Sequence, residues 1–189
     1  SFGRLVEKKG YSILIEACGL LRDLGLDFHC EIAGSGPEYG ALKKLTASLN
    51  LDKRITITGK ALNQEEIEEW MRTGDIFAQP CCWSADNDVD GIPRSLMEAM
   101  AVGLPSISTS VAGIPDLIEH MKTGLLIAEQ DADGLAKAIK LLLDDASLRR
   151  ELSQAGRQII EQRFNLKTCL DPLAKIFSHR SNTTIGNGA

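Results

Sequence analysis

The chain has 189 residues, 43% hydrophobic and 25% charged, enough for one sizeable domain that builds its own core without a disulfide or metal staple. A formal net charge of -5 gives no general attraction to nucleic acid or to an anionic membrane, so a phosphate-bearing ligand has to be held by local groups. Five cysteines, Cys18, Cys30, Cys81, Cys82 and Cys169, lack Cys-x-x-Cys spacing, which points to a reducing cytoplasmic setting and away from a zinc site, and no apolar run approaches the ~20 residues of a membrane span.

The chain opens on SFGRLVEKKG with no initiator methionine and reads as a domain taken from a longer protein. Ile13, Leu14, Ala17, Leu20, Leu21 and Leu24 fall at helical spacing and stop at Gly25, predicting a first helix, and FHCEIAG predicts a buried strand over 28–33. The alternation continues with a helix over 38–49, a strand over 54–58, a helix over 64–73 and a strand over 75–79. A polar loop over 81–93 leads to a helix over 94–102 and a strand over 105–109. A short helix near 115–121, a strand over 124–128 and helices over 132–144 and 147–162 follow. Regular alternation with short links predicts an α/β, Rossmann-like, doubly wound parallel sheet with helices on both faces. One domain is expected over 1–177, with a disordered tail over 178–189 because SHRSNTTIGNGA lacks periodicity.

Ligands of such folds bind where loops leave the carboxyl ends of the strands, here 34–37, 59–62, 80–93 and 109–115. In GRLVEKKG, Gly3 permits close backbone approach, and Arg4 and Lys9 offer a forked and a point-like cation that together suit a diphosphate. A solvated loop before a helix would read the same way. In AGSGPEYG, Gly34 and Gly36 leave backbone N–H groups able to face a ligand. The third glycine is displaced to Gly40 and no ribose-binding acid follows, so the dinucleotide fingerprint is incomplete and a tight turn fits equally well.

Asp90 and Glu98 are the third feature. Pro93 sits at the helix start, Leu96, Met97 and Met100 make a buried face, and Gly103 with Pro105 ends the helix. Glu98 would then be partly buried among apolar neighbours, which is costly unless it is hydrogen-bonded, and a hydroxyl-bearing ligand is one such partner. The N–H groups of Gly91, Ile92, Arg94, Ser95 and Leu96 would be free at the helix start to meet phosphate or sugar oxygens. An exposed glutamate behind an acidic loop is the alternative.

The stretch DGIPRSLMEAMAVGLPSISTSVAGIPDLI resembles the E-x7-E region of the retaining GT-B glycosyltransferases, and GRLVEKKG, IAGSGP and ITGKALNQEEIEEWMRTGDIFAQP fall in that family's order, over residues 2 to about 165. The first acid is Asp90 where the family usually has Glu, and Ile92-Pro93 replaces the common Phe-Gly. The resemblance implies the C-terminal, donor-binding half of a two-domain enzyme that transfers a hexose from a nucleotide diphosphate sugar with retention. It implies that Arg4 and Lys9 bind the diphosphate, Glu98 the ribose hydroxyls and Asp90 the transferred sugar. Gly59, Lys60 and Leu62 would line the base pocket, with Gly34 and Gly36 at the rim of the nucleotide cleft. The saccharide or lipid-linked acceptor would be held by an N-terminal domain, without which this half is expected to be inactive. No cofactor or metal is implied, Asp88 being only a weak metal candidate. The setting implied is cytoplasmic polysaccharide or glycoconjugate biosynthesis, with peripheral membrane association open to the full-length enzyme. A nucleotide-sugar epimerase on the same fold and a non-catalytic Rossmann-like module are the alternatives.

Overall fold

The structure, a computed structural model, describes residues 1–164. The expected tail over 178–189, the end of the domain and Cys169 lie outside the described residues. Five parallel strands alternate with helices: α1 Tyr11–Asp23, β1 Cys30–Ile32, α2 Tyr39–Ser48, β2 Ile55–Ile57, α3 Gln64–Met71, β3 Phe77–Gln79, α4 Arg94–Val102, β4 Ser106–Thr109, α5 Ile114–Leu117, β5 Leu125–Ile127, α6 Ala132–Asp144 and α7 Ala146–Arg163.

The strands hydrogen-bond in two groups, β1 with β2 and then β3, β4, β5 in order. Residues 1–3 run between the groups. Ala33 N–H donates to Ser1 O (2.9 Å) and Gly3 N–H to Ala33 O (3.0 Å), while the Phe2 ring meets Phe77 of β3 edge-on at 6.0 Å. One core cluster joins α1, α2 and α6 to the strands, and a second joins Met71 of α3 with α4 and α5, against which Ile159 and Ile160 of α7 pack. Helices therefore cover both faces, as the alternation predicts.

Local chemistry explains most boundaries. Asn63 and Glu66 form a reciprocal capping box at α3, Asp131 caps α6 through Gly134 N–H, and Asp145 caps α7 through Ser147 and Leu148 N–H. The helix expected over 115–121 stops at Leu117. Ile118 turns extended, Glu119 N–H bonds to the Thr123 hydroxyl at 2.9 Å, and His120 bridges Gly124. Side-chain competition for the backbone ends the helix there.

The segment after β1 shows why its glycines are needed. A Cβ on Gly34 would lie 1.8 Å from Gly3 O and one on Gly36 2.3 Å from Leu5 O, whereas one on Gly40 would meet nothing within 4 Å. Gly36→Ala should therefore destabilise the fold by more than about 2 kcal/mol. Gly40→Ala, inside α2, should stabilise it by ~0.5–1 kcal/mol. Chemical denaturation of the two variants beside the parent checks both signs.

Candidate functional site

Carboxyl ends of β1, β3 and β4 bring three loops together. In the first, Leu5 N–H donates to Ser35 O (2.9 Å) and Glu38 N–H to Leu5 O (3.1 Å), laying residues 3–5 along the Gly34–Gly36 turn. Arg4 is exposed and makes no ion pair among the described residues. A single 3₁₀ turn, Glu7–Lys9, follows and ends at Gly10, whose φ of 69° is left-handed and whose Cβ would overlap Pro80 O at 1.8 Å.

That turn, absent from the sequence reading, aims the lysines. Lys9 Nζ lies 2.7 Å from Asp90 Oδ2, and Lys8 Nζ lies 3.2 Å from Asp90 Oδ1 and 2.7 Å from Asp88 Oδ2. Two further hydrogen bonds fix the same segments: Cys82 N–H donates to Lys8 O (3.1 Å) and Ala85 N–H to the Glu7 carboxylate Oε2 (3.1 Å). Burial opposes ionisation of Asp90, but hydrogen bonds and charge from Lys9 and Lys8 outweigh it and hold the carboxyl below the usual carboxylate range. Asp88, the weak metal candidate, has its carboxylate on Lys8. Among the described residues no three His, Cys, Asp or Glu side chains are grouped as a metal site.

Helix α4 is the second element. Its N-cap is Pro93, which makes no side-chain cap bond. Among the described residues, the N–H groups of Gly91, Ile92, Arg94 and Ser95 have no hydrogen-bond partner, so they form a row of free donors at the positive end of the helix. Leu96 corrects the expectation: its N–H donates to Pro93 O at 3.1 Å and its side chain is wholly buried, so it offers nothing to a ligand. One turn further on, Glu98 is 23% exposed, and its Oε1 accepts from Arg94 at 3.0 Å and from Gln64 Nε2 at 3.5 Å.

The glycine turn also needs correcting. Gly34 N–H donates to the Thr58 hydroxyl at 3.1 Å and is not available to a ligand, and both Gly34 and Gly36 are explained by the close passage of residues 3–5. Thr58 in turn donates to Lys60 O at 3.1 Å, which ties the 59–62 loop to the same edge. Gly59 has a left-handed φ of 66°, and a Cβ there would lie 2.8 Å from the Tyr39 ring, too close for any side chain. Tyr39, exposed beside this loop, was not singled out by sequence because nothing in its local pattern marks it. Lys60 is exposed and Leu62 half-buried against the α4 cluster.

A cleft of about 430 Å³ lined by Ser1, Cys30, Glu31, Ile76 and Phe77 lies at the opposite, amino ends of β1 and β3. Ligands of parallel α/β sheets bind at the carboxyl ends, so this cleft is separate from the site.

The Asp90 cluster carries a pH signature. Because the folded pKa is depressed, the ionised carboxylate stabilises the fold above its unfolded pKa of about 3.9, and that stability is lost as pH falls through the folded value. Asp90→Asn should lower the melting temperature at pH 7, and the difference from the parent should shrink as pH falls below about 3.9 and vanish once the folded carboxyl is protonated. Melting curves of both proteins across that range measure the convergence.

The family model described as glycosyl transferases group 1 matches residues 1–159. Among curated proteins, the amylovoran biosynthesis glycosyltransferase AmsK of Erwinia amylovora is 40% identical over 176 residues, covering 93% of this chain and 43% of that protein. A GDP-mannose-dependent alpha-(1-6)-phosphatidylinositol monomannoside mannosyltransferase of Mycobacterium tuberculosis is 31% identical over 172 residues, covering 90% of this chain and 44% of that protein. The chain thus spans a little under half the length of these relatives. Among solved structures, Anabaena Alr3699/HepE in complex with UDP and glucose superimposes with a TM-score of 0.80 at 23% identity, over 94% of this chain and 47% of that one. The match over most of its length and the parallel α/β architecture lead to one conclusion: the chain belongs to the glycosyl transferases group 1 family, as the C-terminal half of a GT-B fold.

Proposed function

We propose that this chain is the donor-binding half of a retaining glycosyltransferase that moves a hexose from a nucleotide diphosphate sugar to a saccharide or lipid-linked acceptor, in cytoplasmic polysaccharide or glycoconjugate assembly. The observation that carries the reading is the row of unpartnered amides at Gly91, Ile92, Arg94 and Ser95, set beside the Lys9–Asp90 pair and one helical turn from Glu98. Free helix N-terminal donors and nearby cations are what a diphosphate requires. The carboxylates on either side suit hydroxyl groups of sugar and ribose.

In the reaction the acceptor hydroxyl oxygen bonds to the anomeric carbon as the bond to the diphosphate oxygen breaks, and the hydroxyl proton leaves with the nucleotide. Negative charge accumulates on the leaving diphosphate. Arg4, Lys9 and the α4 amides act where that charge develops, which is the effective form of electrostatic catalysis. Lys9 would exchange part of its contact with Asp90 for the phosphate, so that binding of the donor frees the Asp90 carboxylate toward the sugar. AmsK, whose name places it in amylovoran biosynthesis, supports the polysaccharide setting. A UDP complex in one similar structure and GDP-mannose in one relative's name make uracil and guanine the two bases to separate. The acceptor would be held by the other half of the full-length enzyme.

Calorimetric titration of the full-length enzyme with UDP-, GDP- and ADP-sugars should show one preferred nucleotide. Arg4→Ala and Lys9→Ala should each lower turnover about tenfold or more, the equivalent of ~1.4 kcal/mol of lost transition-state stabilisation. Parental rates in both variants would overturn the reading. Conversion of the donor with no acceptor present would point instead to an epimerase.

A further inference from the structure

Gln79 is the one long polar side chain wholly buried in the described strands: it ends β3, where the burial pattern is continuous. An amide in that position is costly unless both its ends are hydrogen-bonded. Here both are. Nε2 donates to Phe2 O at 3.2 Å and Oε1 accepts from the buried Ser95 hydroxyl at 2.6 Å. The backbone at the same residue is fixed too, since Gln79 O accepts from the Ser108 hydroxyl of β4 at 2.7 Å.

The two ends of that amide belong to the two halves of the site. Phe2 O is the carbonyl that precedes Gly3 and Arg4, and Ser95 carries one of the free amides at the start of α4. Gly3 is moulded around this tie: a Cβ there would lie 3.7 Å from Gln79 Nε2 and 3.0 Å from the buried Tyr11 hydroxyl, which also faces the Gln79 side chain. No other side chain of the described residues bonds both to residues 1–4 and to the first turn of α4. A strand interior would be filled as well by leucine, so the amide needs a reason beyond packing.

We propose that Gln79 is a positioning residue of the donor site, which together with Ser95 sets the spacing between the Gly3–Arg4 loop and the N-terminus of α4. This rests on the donor-site reading above. Gln79 touches no substrate; it acts through the groups it holds. Its removal lets the Arg4 loop and the α4 amides drift apart, and a diphosphate that spans them is gripped by one set at the expense of the other.

The test uses the full-length enzyme and its preferred nucleotide sugar. Gln79→Leu, Ser95→Ala and the double variant are compared for melting temperature, donor Kd by calorimetry, and kcat and KM. Gln79→Leu should stay folded and bind donor about tenfold more weakly, a loss of ~1.4 kcal/mol. Because the two residues act through one shared bond, the double variant should bind no more weakly than Gln79→Leu alone, a non-additive cycle. A merely structural role would lower the melting temperature and leave the Kd of the folded fraction unchanged, and that result overturns the inference. So would losses in the two single variants that multiply. If Gln79→Leu does not fold, Ser95→Ala decides: weaker donor binding at a parental melting temperature supports the proposal, and unchanged binding overturns it. A parent enzyme that binds no nucleotide sugar would sink the donor-site reading and this inference together, whereas a parent that binds and variants that bind equally would sink the inference alone.

Discussion

The site depends on one electrostatic constraint, the Asp90 carboxylate held between two lysines. Lys8 and Lys9 stand on a 3₁₀ turn about 80 residues away in sequence, and their ammonium groups reach both oxygens of Asp90. Exposed ion pairs contribute little, but this carboxylate is only 19% exposed and is bonded from two sides. The same two segments are joined by Cys82 N–H to Lys8 O and by Ala85 N–H to Glu7 Oε2, so the charge cluster adds to a junction that these hydrogen bonds also hold. The lysines also neutralise Asp88 and Asp90, which lie close together in the acidic loop packed against the 3₁₀ turn.

From that junction the polypeptide enters α4 with its amides unspent. Helices α3, α6 and α7 cap their first N–H groups with an Asn or Asp side chain, whereas α4, like α1, α2 and α5, has no side-chain cap. An uncapped helix start is a cost in stability that a bound anion offsets. Glu98, a turn away, is held by Arg94 and Gln64, so its carboxylate is kept in place at the lip of the same site.

The order of helices and strands was readable because apolar periodicity is a local property, and every expected element within the described residues is present, with strands shortened to three or four residues. Where local signals compete, the reading failed. The helix near 115–121 ends early because Thr123 takes the Glu119 amide. Leu96 was expected to offer its N–H and instead spends it on Pro93 O. Gly34 and Gly36 looked like ligand-facing glycines and are required by residues 3–5 passing over them, a packing fact with no trace in local pattern.

The sequence by itself determined the α/β class and the family and marked Arg4, Lys9, Asp90 and Glu98 as candidates, because those follow from residue types at short spacing within motifs. Only the tertiary structure decided what these groups do to one another: that Lys9 is paired with Asp90, that Lys8 joins the pair, that Tyr39 fills the space left by Gly59, and that Gln79 ties Phe2 to Ser95. The physical reason is range. Periodicity and capping act over a few residues, whereas each of these contacts joins residues 16 to 82 positions apart, and only the closed fold brings them within hydrogen-bond or van der Waals reach.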